Sequence, residues 1–301
     1  MKKQAINSVE IHTFTFNEST YIDQFCDWYR SRFSNLSIIV HDNHSTDDTV
    51  KKATNWGCTV ETFGSPDFYE ENTLIGLKNT CFKGGTSEYF IVCDIDEFLD
   101  LNDWDLAKFK PSLVQSWCWQ MFNPHSDEIS NIRYGSRDWY YDKILCFKRS
   151  EISEINYQPG AHFCSPKFTS SGNRIVKLHR NMFHYRWLSF DHVFDRYQRN
   201  SKRLAPSNYE KISKWHWDAD EKSLREQYRH IEKSSVLLRF SWTRNSPTKF
   251  LILNHIFNMI CYFVKSVSTG YAKNALEVLK KDVIRNLVDL KKYYFPKPWV
   301  K

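Results

Sequence analysis

Glycine is scarce in this chain, 9 of 301 residues. The first strand-like stretch runs through HTFTFNEST, residues 12–20, without one. That excludes a glycine-rich, arginine-bearing phosphate loop at that position. The eight cysteines are scattered and no two form a CxxC pair. A zinc cluster and a disulfide framework are therefore not expected, and the thiols point to a reducing compartment. The N-terminal MKKQAINSVEIHTF has two lysines but no apolar core of a signal peptide. No stretch approaches the roughly 20 apolar residues of a membrane span.

What is present is a globular composition, 41% apolar and 26% charged, with 16% aromatics. Aromatic rings suit stacking on sugars, although most belong in the core. The length suits one large domain or two modest ones. The net charge of +7 is uneven: from Ser241 onward there are 11 Lys/Arg against 3 Asp/Glu, so the basic character belongs to the tail. The apolar residues of Lys249 to Val267, from Phe250 to Val264, fall largely on one helical side. With the lysines beyond them, this predicts either a face packed on the body or peripheral attachment to an anionic membrane surface.

The first hundred residues alternate. Val9–Phe16, Leu36–Val40, Cys58–Phe63 and Tyr89–Cys93 read as strands. Helical segments lie between them: Ser19–Phe33, Thr46–Trp56 capped by Ser45 or Thr46, and one reaching about Phe82. Repeated βα units predict an α/β fold, a Rossmann-like, mostly parallel sheet with helices on both faces. The middle, Leu113 to Arg180, shows strand-like runs broken by loops. From Ser189 the pattern turns helical, so a helical C-terminal region is expected.

The stretch YFIVCDIDEFLD, Tyr89 to Asp100, drives five apolar residues into Asp94, Asp96 and Glu97. Crowded carboxylates resist desolvation unless a cation or donors compensate. Ligands of open α/β sheets bind outside the carboxyl ends of the strands. The pattern therefore points to a divalent metal site, with a solvated helix start as the plainer alternative. The second strand likewise ends in VHDNHSTDDT, where Asp42 is placed either to hold a base or ribose or to cap a helix. The first strand stops at Asn17-Glu18. Three polar strand ends would converge on one edge of a parallel sheet.

HTFTFNE, HDNHSTDDT and LIGLKNTCFKGGTSEYFIVCDIDEFLD, in that order, resemble the nucleotide-sugar half of family 2-like bacterial glycosyltransferases with the glycosyltransferase A-type fold. EINYQPGAHFCSP and FHYRWLSFDHVFDRYQRNSKRL are similar to later segments of the surface-polysaccharide enzymes of that family. The resemblance spans about residues 8–210. It implies a catalytic domain over 1–210, with a nucleotide-sugar half at 8–110 and an acceptor half at 111–210, followed by a basic region at 211–301.

The resemblance also implies site roles. Asp96 would bind Mn²⁺ or Mg²⁺, and Asp94 would reach ribose or a metal-bound water. Asn17, Glu18 and Asp42 would line the nucleoside pocket, with Lys78 and Asn79 near it and Lys83 facing phosphate. His184 would complete the metal site, with His162 as the alternative. Arg186, Arg196 and Arg199 would contact phosphate. An inverting transfer needs a carboxylate base. The family's glycine-containing segment is replaced here by FNPHSDEIS, which leaves Asp127 or Glu128 as base candidates and Asp138 as a further one. The implied reaction moves a sugar from a nucleotide-diphosphate sugar to a glycan or lipid-linked glycan. Its setting is cytoplasmic, at the inner face of the membrane.

Other enzymes share pieces of this pattern. Haloacid-dehalogenase-type phosphatases also place DxD after an apolar strand, but on the first strand and usually with Thr or Val where Phe98 stands. Sugar-nucleotide pyrophosphorylases need the glycine-rich loop already excluded. A binding module built on the tail would meet a membrane surface more naturally than nucleic acid.

Overall fold

A computed structural model describes residues 7–123, 128–169, 175–204 and 220–238, with Met259, Ile260, Tyr262 and Val264. The first half is the expected βα alternation. Strands β1 (Val9–Thr15), β2 (Leu36–Asp42), β3 (Thr59–Thr62) and β4 (Tyr89–Asp94) lie in the order β3-β2-β1-β4, all parallel. Helices α1 (Ser19–Arg30), α2 (Thr49–Asn55) and α3 (Glu71–Thr80) connect them. Side chains alternate across each strand, so β1 sends Val9 and Ile11 to one face and Phe14 to the other. Helices α1 and α2 cover the first face, and α3 with the 3-10 turn after it covers the second.

Helix α1 forms because Tyr21, Ile22, Phe25, Cys26, Trp28 and Tyr29 recur at helical spacing, and all six are buried. It also pins the backbone just beyond the acidic cluster. Tyr29 Oη donates to the Glu97 carbonyl and accepts from Leu99 N–H, both at 3.0 Å. Trp28 Nε1 donates to the Leu99 carbonyl at 3.0 Å. Glu97–Leu99 is therefore a short strand, β5, and no helix starts there.

After α4 (Asp103–Phe109) the sheet continues through β6 (Leu113–Phe122), β7 (Tyr134–Arg137) and β8 (Ile144–Lys148). β8 joins the parallel half antiparallel to β4, and β6 lies antiparallel to both β8 and β7. A separate ribbon pairs β9 (Ile152–Glu154) with β10 (Lys167–Phe168). The 11-residue β11 (Lys177–Trp187) runs parallel to β6 and antiparallel to β5. It ties the acidic strand end to the second half of the sheet. Its Arg180 is buried against Asp105, with Nη2 at 2.6 Å from Oδ1.

Helix α5 (Phe190–Ser201) comes next, then α6 (Glu221–Ser234) and β12 (Val236–Leu237), which extends the sheet at β7. Leu224, Tyr228 and Ile231 of α6 pack with Phe122, Trp187 and Val193, so residues 220–238 belong to the same body. Most of the tail lies outside the described residues. Met259 joins the main core and Tyr262 meets Trp119 edge-on, whereas Ile260 and Val264 face outward. Among the described residues, no helix is long and apolar enough to cross a membrane.

Helix α2 starts three residues later than the sequence predicts. Asn17 Oδ1 accepts from the backbone N–H groups of Thr46 (2.6 Å) and Asp47 (3.2 Å), which holds this segment as a loop. His44 sits in the left-handed region with φ 60°. Asp47 then accepts from Thr49 N–H and opens the helix.

Candidate functional site

The ends of β1, β4 and β11 open into one cavity of about 280 Å³, completed by α3, α5 and the loops at 140–143 and 159–162. Asp94, Asp96 and Glu97 stand on its floor, and each carboxylate meets cationic groups. Lys78 Nζ is 2.6 Å from Asp94 Oδ1. Lys143 Nζ is 2.6 Å from Glu97 Oε1 and 3.5 Å from Asp94 Oδ2. Arg196 Nη1 is 2.6 Å from Asp96 Oδ2, and its Nε donates to Glu18 Oε1 at 2.9 Å. Glu97 Oε2 also accepts the Asp94 N–H at 3.0 Å, which sets the turn between the two aspartates.

These contacts decide protonation. Burial alone would raise both aspartates. Lys78 and Lys143 outweigh it at Asp94, and Arg196 with His184 at Asp96, so both stay below the ordinary carboxylate range. Burial of Lys143 would lower its pKa, but Glu97 and Asp94 hold it above the usual lysine value. At Glu18 burial wins over Arg196 and Arg199, and its carboxyl is pushed up to about 7.

Of the residues that the sequence singles out, Glu18, Lys78, Asp94, Asp96, His162, His184, Arg186 and Arg196 line this cavity. Others stand behind it. Asp42 is buried and its oxygens accept from Thr15 Oγ1 (3.0 Å) and Ser45 N–H (2.8 Å), so it braces the loop after β2. Asn17, at φ 54°, braces the same loop. Asn79 clamps Tyr157 through both its carbonyl and its N–H. Arg199 lies 3.6 Å from Glu18. Lys83 is exposed and its carbonyl accepts from Arg149.

Asp127 is outside the described residues. Glu128 is exposed, accepts from Ser130 Oγ and does not line the cavity. Asp138 caps a 3-10 turn and accepts from Gln120. Lys143 and Glu71 line the cavity without any sequence signal that marks them, and Arg203 lies in the segment FHYRWLSFDHVFDRYQRNSKRL but carries no role from it.

Asp94, Asp96 and His184 suit a hard divalent cation such as Mn²⁺ or Mg²⁺, with carboxylate oxygens and one imidazole. His184 Nε2 lies 3.5 Å from Asp96 Oδ2, and its Nδ1 is buried without a hydrogen-bond partner. The donor types fit a ligand set, with Nε2 the imidazole nitrogen that faces Asp96. A cation there would compete with Arg196 for the same Asp96 oxygen.

No family model matches the chain, and no curated protein matches it. Solved structures similar to it include glucosyl-3-phosphoglycerate synthase from Mycobacterium tuberculosis with Mn²⁺, UDP and glucosyl-3-phosphoglycerate. That structure is 17% identical, covering 37% of this chain and 44% of its own, with a TM-score of 0.27. The same synthase with phosphoglyceric acid is 12% identical, covering 67% of this chain and 82% of its own, with a TM-score of 0.36. The chain thus spans less than half the length of the first of these.

Proposed function

We propose that the chain is a glycosyltransferase that uses a divalent cation to move a sugar from a nucleotide-diphosphate sugar onto a glycan or lipid-linked glycan. One observation carries this reading. Two ionised aspartates at the end of a central parallel strand share a single cavity with Lys78, Lys143, Arg186, Arg196 and His184. A diphosphate leaving group needs positive charge preset around it. Lys78, Lys143 and Arg196 are already fixed by carboxylates and Arg186 by the Tyr141 hydroxyl, so they reorganise little when phosphate arrives. Asp94, Asp96 and His184 would hold the Mn²⁺ or Mg²⁺, which supplies Lewis-acid neutralisation of the departing diphosphate.

In this reading residues 8–110 bind the donor and 111–210 face the acceptor. Transfer inverts the anomeric carbon; of the two base candidates, Asp127 and Glu128, Glu128 stands outside the cavity, and Asp127 takes the acceptor proton. The basic tail holds the enzyme at an anionic membrane surface, where a lipid-linked acceptor resides. Salt-sensitive co-sedimentation with anionic but not neutral vesicles tests that last point.

The main test is a thermal-shift series with nucleotide diphosphates and nucleotide sugars, with and without Mn²⁺. A true ligand at 100 times its Kd stabilises by about 2.7 kcal/mol. A shift that needs both nucleotide and metal, and that Asp96→Asn abolishes, supports the reading. No shift with any nucleotide diphosphate, metal present or absent, overturns it.

A further inference from the structure

A second polar cluster lies away from this cavity, on the face of the sheet covered by α3. His12 of β1 and His41 of β2 are both buried, their rings stacked at 5.2 Å and 12°. His12 Nδ1 faces His41 Nε2 at 2.9 Å. The outer nitrogens meet carboxylates: His12 Nε2 lies 3.0 Å from Glu10 Oε1, and His41 Nδ1 lies 3.3 Å from Glu61 Oε2. Burial pushes both imidazoles down to about 4, so they are neutral near pH 7.

Two neutral imidazoles carry one N–H each, enough for two hydrogen bonds in the row Glu10, His12, His41, Glu61: His12 to Glu10 and the central contact. His41 Nδ1 is then left facing the exposed Glu61 carboxylate with no proton between them. A cation in the central contact relieves that. Each ring then keeps its proton on the outer nitrogen and donates it to its carboxylate, the arrangement that commonly orients metal-bound histidines. A third ligand is in place, because the Cys81 sulfur and one nitrogen of each ring lie within 4.8 Å of one another.

We propose that His12, His41 and Cys81 form a binding site for a borderline-soft divalent cation of the zinc class, with Glu10 and Glu61 orienting the two imidazoles. Nitrogen and sulfur donors select such a metal over Mg²⁺ or Mn²⁺. Zn–N bonds of about 2.1 Å at a tetrahedral angle put the nitrogens about 3.4 Å apart. The facing nitrogens, 2.9 Å apart, therefore open by about half an ångström. Binding takes the proton from the Cys81 thiol and releases it to solvent, and the imidazole protons only change nitrogen. Three protein ligands leave the fourth position to water. The cation ties β1 and β2 to the end of α3, the helix that carries Lys78.

The test is titration of the metal-stripped full-length protein with Co²⁺. Binding gives a near-ultraviolet thiolate charge-transfer band and the intense visible bands of four-coordinate cobalt, both erased by Zn²⁺. Cys81→Ser removes the charge-transfer band, and His41→Gln removes the four-coordinate bands. Asp96→Asn leaves all of them, which separates this site from the strand-end aspartates. Absence of a thiolate band in the unaltered protein at saturating Co²⁺ overturns the proposal whatever the variants do. So does a band that survives Cys81→Ser. In either case the central contact is an ordinary N–H···N hydrogen bond.

Discussion

Arg196 holds Asp96 and Glu18 together through one guanidinium, Nη1 at 2.6 Å from Asp96 and Nε at 2.9 Å from Glu18. Asp96 and Glu18 are buried and have few other charged partners. Arg196→Ala therefore strands two carboxylates. Removing one partner of a buried pair costs about 3–5 kcal/mol. Urea unfolding of the variant should show a loss of that size, and Arg196→Lys a smaller one. An unchanged urea midpoint would mean that water already compensates these groups.

Asp42 should matter for stability more than for ligand affinity. Its carboxylate accepts from Thr15 and Ser45. Asp42→Ala leaves those donors unmet, at a cost of about 1–3 kcal/mol. A lowered melting temperature is expected, with nucleotide affinity within about twofold of the parent protein once folding is corrected for. A tenfold loss of affinity without a stability change would instead place the carboxylate against the nucleoside.

Lys143 and Glu97 form a buried pair at 2.6 Å. Lys143→Met alone should destabilise by about 3–5 kcal/mol, because Glu97 is left charged and buried. Adding Glu97→Leu should recover part of that loss, as apolar replacements of buried ion pairs often do. Nucleotide binding should not recover, since Lys143 also faces Asp94. Stability curves for the single and double variants form the cycle that checks this. A double variant no more stable than Lys143→Met would contradict it.

The histidine pair predicts a pH effect with a definite sign. His12 and His41 titrate near 4 in the folded chain, below the usual 6.5. Unfolded histidines take up protons first, so this contribution is present above pH 6.5 and is lost as pH falls toward 4. Glu10, Glu61 and Cys81 face the pair. Three carboxyls act oppositely: Glu10, raised by burial, Glu18, raised to about 7, and Asp100, raised to about 6, favour the folded state as pH falls. The measurement is therefore a difference. His12→Gln/His41→Gln should lose less stability than the parent between pH 6.5 and 4. Parallel curves would show that the rings do not titrate as described.

The parallel half of the fold was legible because its strands are short apolar runs with polar punctuation. Tyr89–Cys93 is buried on both faces, and so it reads as continuous. β11 was not legible as a whole. KLHRNMFHYRW carries two arginines and two histidines inside the sheet, and the partners that make this tolerable, Asp105 and Tyr141, are distant in sequence. From sequence Glu97 was either part of the acidic cluster at a metal site or a helix start, because an acid after a strand is often one. Only its pairing with His184 across β5 and β11 makes it a strand residue. At the site, the convergence of strand ends and the place of Asp94 and Asp96 came from pattern alone. Lys143 did not, since one lysine before a strand resembles any surface lysine. Asp42 and Asn17 were visible as polar loop residues. Whether such groups face a ligand or the backbone depends on the turn they make, and that turn includes left-handed His44.

The path of β11 also bears on how the chain is made. Asp96 lies at the end of the fourth strand, yet its bonding partners come from much later in the sequence, as Tyr185 N–H donates to its carbonyl at 2.8 Å and Arg196 pairs with its carboxylate. A nascent chain extended only to β8 has its parallel strands but neither of these partners. The charged strand end then stays solvated, and the edges of β5 and β6 that β11 pairs with stay open. Pairing over such sequence separations is slow and leaves sheet edges open meanwhile. Emergence of β11 and then of Arg196 from the ribosome is thus the stage at which the acidic turn changes from a wet loop tip into a closed floor. Ribosome-stalled chains with Arg196 still inside and just outside the exit tunnel should differ sharply in protease resistance at Asp94–Asp96.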